Sequence, residues 1–425
     1  MKIICTSDWH LGNIFHGNDR LAEHDHFLQW LRGQIDKHQP DALLVAGDVF
    51  DNGNPSAKAQ SVYYKFLADA PELCPAMRII ITAGNHDSAS RLEAPRELLT
   101  HHHVEVRGTI KRHWGTDAEA TGQMVTDYDD LIIPIGIGNA NRAVVLAVPY
   151  LRTDIMMGAG SYSQGVNNFL RSLTRRAREL YPGTPLVMMA HMYATGADIA
   201  SRDASEKIII GGQEQVDMEG WTDHPDYLTC GHIHKRQHIL NTDWARYSGS
   251  VLPMSFAEKD YTHGVDLLTL TVGCHPKVEQ LVYKPQRSLV VLPEDDVPQT
   301  AAQLRKLINK TLEDQLGDSL TENAPYVAIK VAQDKISNDE VRQLELLVAT
   351  KNAILCKIQK SMPLSLDGNA EERPELKSVD DILNRDPMDT LRDAFRIMNN
   401  GQEMNERQVA MLSELIKNIQ HETTP

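Results

Sequence analysis

Five short apolar runs in the first 234 residues each end in side chains able to bind a metal ion. Ile3-Ile4-Cys5 leads into Asp8 and His10, Leu43-Leu44-Val45 into Asp48, and Ile79-Ile80-Ile81 into Asn85 and His86. Leu186 to Met189 leads into His191, and Tyr227 to Cys230 into His232 and His234. Seven oxygen or nitrogen ligands (Asp8, His10, Asp48, Asn85, His191, His232 and His234) are more than one ion needs. Carboxylate, carboxamide and imidazole donors without a thiolate suit Mn, Fe or Zn rather than Ca or a structural zinc. Two ions about 3.5–4 Å apart can share a carboxylate and stabilise both the attacking and the leaving oxygen of an in-line displacement at phosphorus. Asp48 is the candidate bridge, because it stands alone at the end of its run whereas Asp8 comes with its own histidine.

Such ligands converge only if the runs are adjacent strands, whose carboxyl ends open into one crevice in an α/β fold. Asp8 and His10, like His232 and His234, are two apart and would face one side if the strand persisted through them. Gly47 and Gly84, directly before Asp48 and Asn85, allow the sharp turn that leaving a strand demands. Leu28, Leu31 and Ile35 at helical spacing predict a crossover helix from Leu21 to His38, stopping before Pro40. Strands alternating with helices give a largely parallel α/β core. Between Val104 and Pro149, short runs separated by Gly, Asn and Asp read as hairpins. Leu267 to Val272 continues the strand character, so a second sheet packed on the first is expected.

The ligand-type residues stop near Lys284-Pro285, which bounds a first domain at 1–285. A compact αβ module follows over 286–362. Ser288 to Leu292, Tyr326 to Val331 and Ala353 to Ile358 read as its strands, and Ala301 to Glu313 and Asp339 to Ala349 as its helices. Residues 363–377 have the composition of a solvated linker. In the final segment, 378–425, Leu391, Phe395 and Met398 mark one amphipathic stretch and Val409, Leu412, Ile416 and Ile419 another. Single apolar stripes either pack back on the body or dock a helical partner.

A length of 425 residues predicts two or three domains, and 41% hydrophobic with 24% charged residues is ordinary for a globular protein. The net charge of -15 argues against a generic basic nucleic-acid coat, though not against a local basic groove or metal ions supplying the positive charge. The five cysteines form no CxxC pair and read as reduced thiols. No apolar stretch reaches 18 residues, and Met1-Lys2-Ile3 leads directly into the first strand without room for a signal peptide, so a cytoplasmic chain with no membrane association is expected.

DWH at 8–10, GDVFD at 47–51, GNHD at 84–87, His191 and GHIH at 231–234 resemble the signature of the calcineurin-like metallophosphoesterase superfamily in order and spacing. With TSDWHLG near the amino terminus and YSGS-x-LP-x-SF-x-E over Tyr247 to Glu258, the chain is similar to the nuclease subunits of bacterial SbcCD-type complexes along nearly its whole length. That resemblance implies a four-layer αββα sandwich with a small αβ capping domain and a two-helix carboxyl-terminal segment. It implies that Asp8, His10, Asp48 and His234 hold one ion, that Asp48, Asn85, His191 and His232 hold the other, and that Mn is the metal. His86 would protonate the leaving oxygen or stabilise its charge, and Asp87 could orient the His86 ring. Asp51 stands where archaeal relatives place a second catalytic histidine, so it cannot inherit that role.

The activity so implied is a DNA exonuclease and endonuclease acting at duplex ends and hairpins, in repair, recombination and replication. The implied partners are DNA, an SbcC-type coiled-coil ATPase bound by the tail helices, and a second nuclease subunit within a heterotetramer. Two other readings are a superfamily enzyme acting on a small-molecule phosphoester and a metal-bound scaffold that recruits the ATPase without cutting. The extra modules speak against the first, and an intact His86 with a full ligand set against the second.

Overall fold

The computed structural model describes residues 1–361 apart from 116–123, 138–139, 153–159, 197–214, 272, 296, 317–318 and 333–335, and beyond them Met404 and Val409. The chain divides into two units, Met1–Pro363 and Leu364–Pro425. The expected linker at 363–377 and the tail helices fall outside the described residues.

The first sheet runs in the order Lys277–Val282, Gly264–Thr269, Lys2–Thr6, Ala42–Ala46, Arg78–Thr82, Val104–Arg107. Its last four strands are parallel, and Gly264–Thr269 pairs antiparallel with Lys2–Thr6. The pleat sends alternate side chains to opposite faces. Ile4, Leu43, Val45, Ile79 and Ile81 pack against the helices Leu21–His38 and Ala57–Leu73. Ile3, Cys5, Leu44 and Ile80 face the second sheet, where they meet Val145, Val187, Met189 and Tyr227.

That second sheet has the order Gln237–His238, Ala245–Tyr247, Tyr227–Gly231, Leu186–His191, Ala140–Ala147, Ile132–Ile137. Its far face, with Leu146, Met188 and Leu228, packs on the helix Tyr162–Leu180 through Phe169, Leu170 and Leu173. The layers are therefore helix, sheet, sheet, helix.

The helix expected over Leu21 to His38 forms with those bounds, and it stops because Gln39 takes a left-handed φ of 47° ahead of Pro40. Val104–Arg107 departs from the hairpin expectation. It adds parallel to Arg78–Thr82 at the sheet edge, and all four residues are buried. The polar Glu105 and Arg107 hid a buried strand because they neutralise one another at 3.1 Å, while Arg107 Nε donates to the Asp130 carbonyl at 2.6 Å.

Leu289–Leu292, Tyr326–Ala332 and Ile354–Ser361 form a separate parallel sheet. The helices Ala301–Thr311 and Asn338–Val348 cover one face of it, both starting at capping boxes, Thr300 with Gln303 and Ser337 with Glu340. Val327, Ile329 and Val331 pack beneath these helices with Leu304, Ile308 and Leu344. The alternate residues Tyr326 and Ala328, with Val291, face the other way and meet Phe15 and Phe256, which precede this sheet in the chain. Among the described residues no helix is long and apolar enough to cross a membrane.

Candidate metal centre

All seven expected ligands come together where the parallel strands of the two sheets end. Asp8 and His10 lie past the strand Lys2–Thr6, and His232 and His234 past Tyr227–Gly231, so the same-face argument from strand spacing does not apply to them. Asp8, His10, Asp48 and His232 instead take left-handed backbone, with φ of 50°, 47°, 49° and 99°. Such conformations are costly for residues with side chains and persist only where the surroundings enforce them. Here the loops lock one another: Asp8 N donates to Gly47 O at 3.1 Å, His10 N to Asp48 O at 3.0 Å, and His232 N to Asp8 Oδ1 at 3.0 Å.

Ligand atoms of Asp8, His10 and His234 lie within 4.8 Å of one another, as do those of Asp8, Asp48 and His191. Asn85 Oδ1 is 3.0 Å from His191 Nε2 and 2.9 Å from His232 Nδ1. Asp48 stands between the groups, with Oδ2 3.3 Å from His191 Nε2 and 3.8 Å from His10 Nε2. Its other oxygen accepts the backbone N–H of His86 at 2.9 Å.

Two ring orientations are fixed from behind. His191 Nδ1 donates to Ala46 O at 3.0 Å, and His234 Nδ1 donates to Glu258 Oε1 at 2.9 Å. Each leaves Nε2 for the site, the arrangement that orients histidine ligands and raises their basicity. Glycine at 84 and 231 is required by close approach: a Cβ on Gly84 would overlap the Asp48 carboxylate, and one on Gly231 would overlap Ala46 O.

The charges fit divalent cations. Asp8, His10, Asp48 and His191 are at most 3% exposed. Burial pushes Asp8 up, and the nearby Asp48 adds to that against the opposing His191 and His234. Burial works the same way on Asp48, but the adjacent His191 ring outweighs it and holds Asp48 below the carboxylate range. Burial opposes charging of His191, yet Asp48 and Asp8 push it up to about 9. Both nitrogens of His10 are buried without a hydrogen-bond partner, an arrangement that is costly unless a cation takes a lone pair. The donor set and this orphaned imidazole fit an oxygen- and nitrogen-bound divalent ion.

His86 is exposed at the lip of the cluster, its ring centroid 4.9 Å from that of His10. Asp87 does not orient that ring. Its carboxylate accepts backbone N–H groups from Val49 at 3.1 Å, Phe50 at 2.9 Å and Gly84 at 2.9 Å, tying the Asp48 loop to the Asn85 loop. The His86 ring is held instead by the Asp51 carbonyl, 2.9 Å from Nδ1. Trp9 packs between Phe27 and Phe66 with Nε1 on Thr6 Oγ1 at 3.0 Å, which braces the turn between Asp8 and His10 from behind.

Sequence reasoning missed Glu258 as a site residue, although it closes the Tyr247–Glu258 stretch. It also missed Ser7, whose hydroxyl donates to Asp8 Oδ2 at 2.6 Å, and Tyr247, whose hydroxyl ties down the chain after His191 through Ala194 N and Met192 O.

Residues 1–236 match the family model described as calcineurin-like phosphoesterase. The chain is 34% identical over 386 residues to the SbcD component of nuclease SbcCD from Rhodobacter capsulatus, covering 88% of each. It is 27% identical over 400 residues to the protein of that name from Escherichia coli, covering 91% of this chain and 92% of the relative. The Bacillus subtilis protein of that name is 28% identical over 293 residues, covering 68% of this chain and 71% of its own.

Proposed function

The chain belongs to the calcineurin-like phosphoesterase family and to the SbcD proteins within it, and on that premise we propose that it hydrolyses DNA phosphodiesters. It acts as exonuclease and endonuclease at duplex ends and hairpins, as the nuclease subunit of an SbcCD-type complex in cytoplasmic DNA repair, recombination and replication. The observation that carries this reading is the convergence of seven donor side chains beside the exposed ring of His86.

Asp8, His10, Asp48 and His234 would hold one ion and Asp48, Asn85, His191 and His232 the other, most readily Mn. Ions bound there supply Lewis-acid stabilisation of the charge that builds on the attacked phosphate. The chain's own residues do the rest. Asp8 and Asp48 present carboxylates, which would repel a substrate phosphate until cations neutralise them, and Asn85 adds its neutral carboxamide oxygen. The Nδ1–H of His86 donates to the Asp51 carbonyl, so a protonated His86 ring presents Nε2–H outward. That proton passes to the leaving oxygen, and the ring relaxes to its Nδ1–H form. The small domain selects or distorts DNA at the site, and the tail helices bind the ATPase coiled coil within a dimer of nuclease subunits.

The test is an Mn-dependent assay of purified protein on linear duplex DNA and on a small aryl phosphate. Preferential degradation of DNA is expected, whereas aryl phosphate turnover without DNA cleavage would overturn the reading. Removing residues 378–425 should spare DNA cleavage and end co-purification with the ATPase.

A further inference from the structure

One short stretch of chain touches both the small domain and a metal-binding histidine. Ser255 caps a single 3-10 turn, Phe256–Glu258, by accepting from Ala257 N at 3.2 Å. Phe256 is 5% exposed and packs among Phe15, Tyr326, Val291 and Ala328, the last three belonging to the small domain. Two residues later Glu258 places one carboxylate oxygen 2.9 Å from His234 Nδ1, and the other accepts from Met254 N at 2.8 Å.

The start of the same stretch is held from the small domain as well. Arg20, fully buried, donates from Nη1 to Pro253 O at 2.6 Å and grips Glu23 with Nε and Nη2 at 3.1 and 3.0 Å. Glu23 Oε1 in turn accepts the Tyr326 hydroxyl at 2.7 Å. The Arg20 guanidinium lies between the Phe15 and Tyr326 rings, 5.1 and 5.8 Å from their centroids. A buried ion pair tolerates little rearrangement, because moving either charge away from the other leaves it uncompensated. The stretch from Pro253 to Glu258 thus meets the small domain directly at Phe256, is linked to it at Pro253 through Arg20 and Glu23, and reaches the metal centre at Glu258.

The link is one-sided. The hydrogen bonds described for Asp8, Asp48, Asn85, His191 and His232 go to partners within the larger domain, such as Ser7, Ala46 and the His86 backbone.

We propose that Phe256 and Tyr326 are positioning residues for one half of the metal centre: the seating of the small domain sets the Glu258 carboxylate, which sets His234 and so the affinity of the ion that His234 binds. By linkage, anything that shifts the small domain changes that ion's affinity, and binding of the ion changes the domain's equilibrium by the same factor. The proposal rests on the reading of His234 as a ligand and not on DNA as the substrate.

Calorimetric titration of the full chain with Mn tests it, the relevant binding event being the one that His234→Ala removes. Glu258→Gln should weaken that event by about 10- to 100-fold, the usual effect of losing the carboxylate behind a ligating histidine. Tyr326→Phe and Phe256→Ala should each weaken it several-fold and leave the other event unchanged, with Phe256→Leu restoring it. Tyr326→Phe combined with Glu258→Gln should do no more than Glu258→Gln alone, since both act on one route. Melting in EDTA verifies that the variants fold, and Tyr326→Phe deletes only a hydroxyl. Unchanged affinity in Phe256→Ala and Tyr326→Phe, equal weakening of both events, or full additivity would overturn the proposal while leaving the metal centre intact. Failure of the unmodified chain to bind Mn would overturn the metal-centre reading and this proposal together.

Discussion

His86 Nδ1 lies 2.9 Å from the backbone carbonyl oxygen of Asp51, so the ring at the lip of the site is aimed by main chain rather than by a side chain. The Asp51 carboxylate is engaged elsewhere, accepting from Asn13 Nδ2 at 2.8 Å and lying 3.7 Å from His10 Nδ1. Asp51 therefore supports the His86 ring without needing its own side chain.

That separation makes the two residues distinguishable by mutation. His86→Ala should lower cleavage by about 10²–10⁴, the range for losing a general acid, with Mn affinity by calorimetry unchanged. Asp51→Asn keeps the carbonyl and should retain activity within about tenfold, because the loss there is limited to electrostatic support of His10. Equal losses in the two variants would show that the Asp51 carboxylate acts directly in the reaction.

Two glycines give a contrast in stability. A Cβ at Gly84 would collide with the backbone nitrogen and carboxylate of Asp48, and Gly84 cannot retreat because its N–H donates to Asp87 at 2.9 Å. Gly84→Ala should destabilise the chain by about 1–3 kcal/mol through overpacking and abolish the rise in melting temperature expected on adding Mn. Gly33 lies exposed within the helix Leu21–His38 with open space where a Cβ would stand. Gly33→Ala should be stabilising by about 0.5–1 kcal/mol with the Mn response intact. Urea unfolding and melting with and without Mn measure both, and a normal Mn response in Gly84→Ala would contradict the close approach of the two loops.

The convergence of the five strand ends was legible because an apolar run that stops at a side chain able to bind a metal is a local pattern, readable one strand at a time. The layer order followed from the same runs and from the resemblance, and the helix Leu21–His38 from its spacing and Pro40. What stayed hidden depended on contacts far along the chain. Glu258 reaches His234 across 24 residues and Tyr326 reaches Glu23 across 303, and neither carboxylate carries a local mark of its partner. Asp87 misled because adjacency to His86 suggested a ring contact, whereas the turn directs its carboxylate to three backbone N–H groups. The strand Val104–Arg107 was missed because its charges are buried as a pair, which a hydropathy pattern reads as surface.

A buried histidine packed against the Trp9 backbone sets an acid limit on stability. His24 is fully buried, with both ring nitrogens shut away from solvent. Burial, reinforced by the Arg20 charge and only partly opposed by backbone groups of Trp9 and Arg20, pushes it from 6.5 down to about 3. Below about 6.5 the unfolded chain takes up a proton that the folded chain refuses, so the unfolded state binds more protons and stability rises with pH. The contribution is complete above about 6.5 and is lost as pH falls toward 3, at about 1.4 kcal/mol per pH unit between those limits. His24→Leu, similar in volume and unable to titrate, should remove that component. Urea unfolding at pH 7, 6, 5 and 4 should show the unmodified chain losing stability faster than the variant, the gap growing by about 1.4 kcal/mol for each unit below 6. Parallel curves over that range would show that His24 is protonated in the fold and that its burial is compensated.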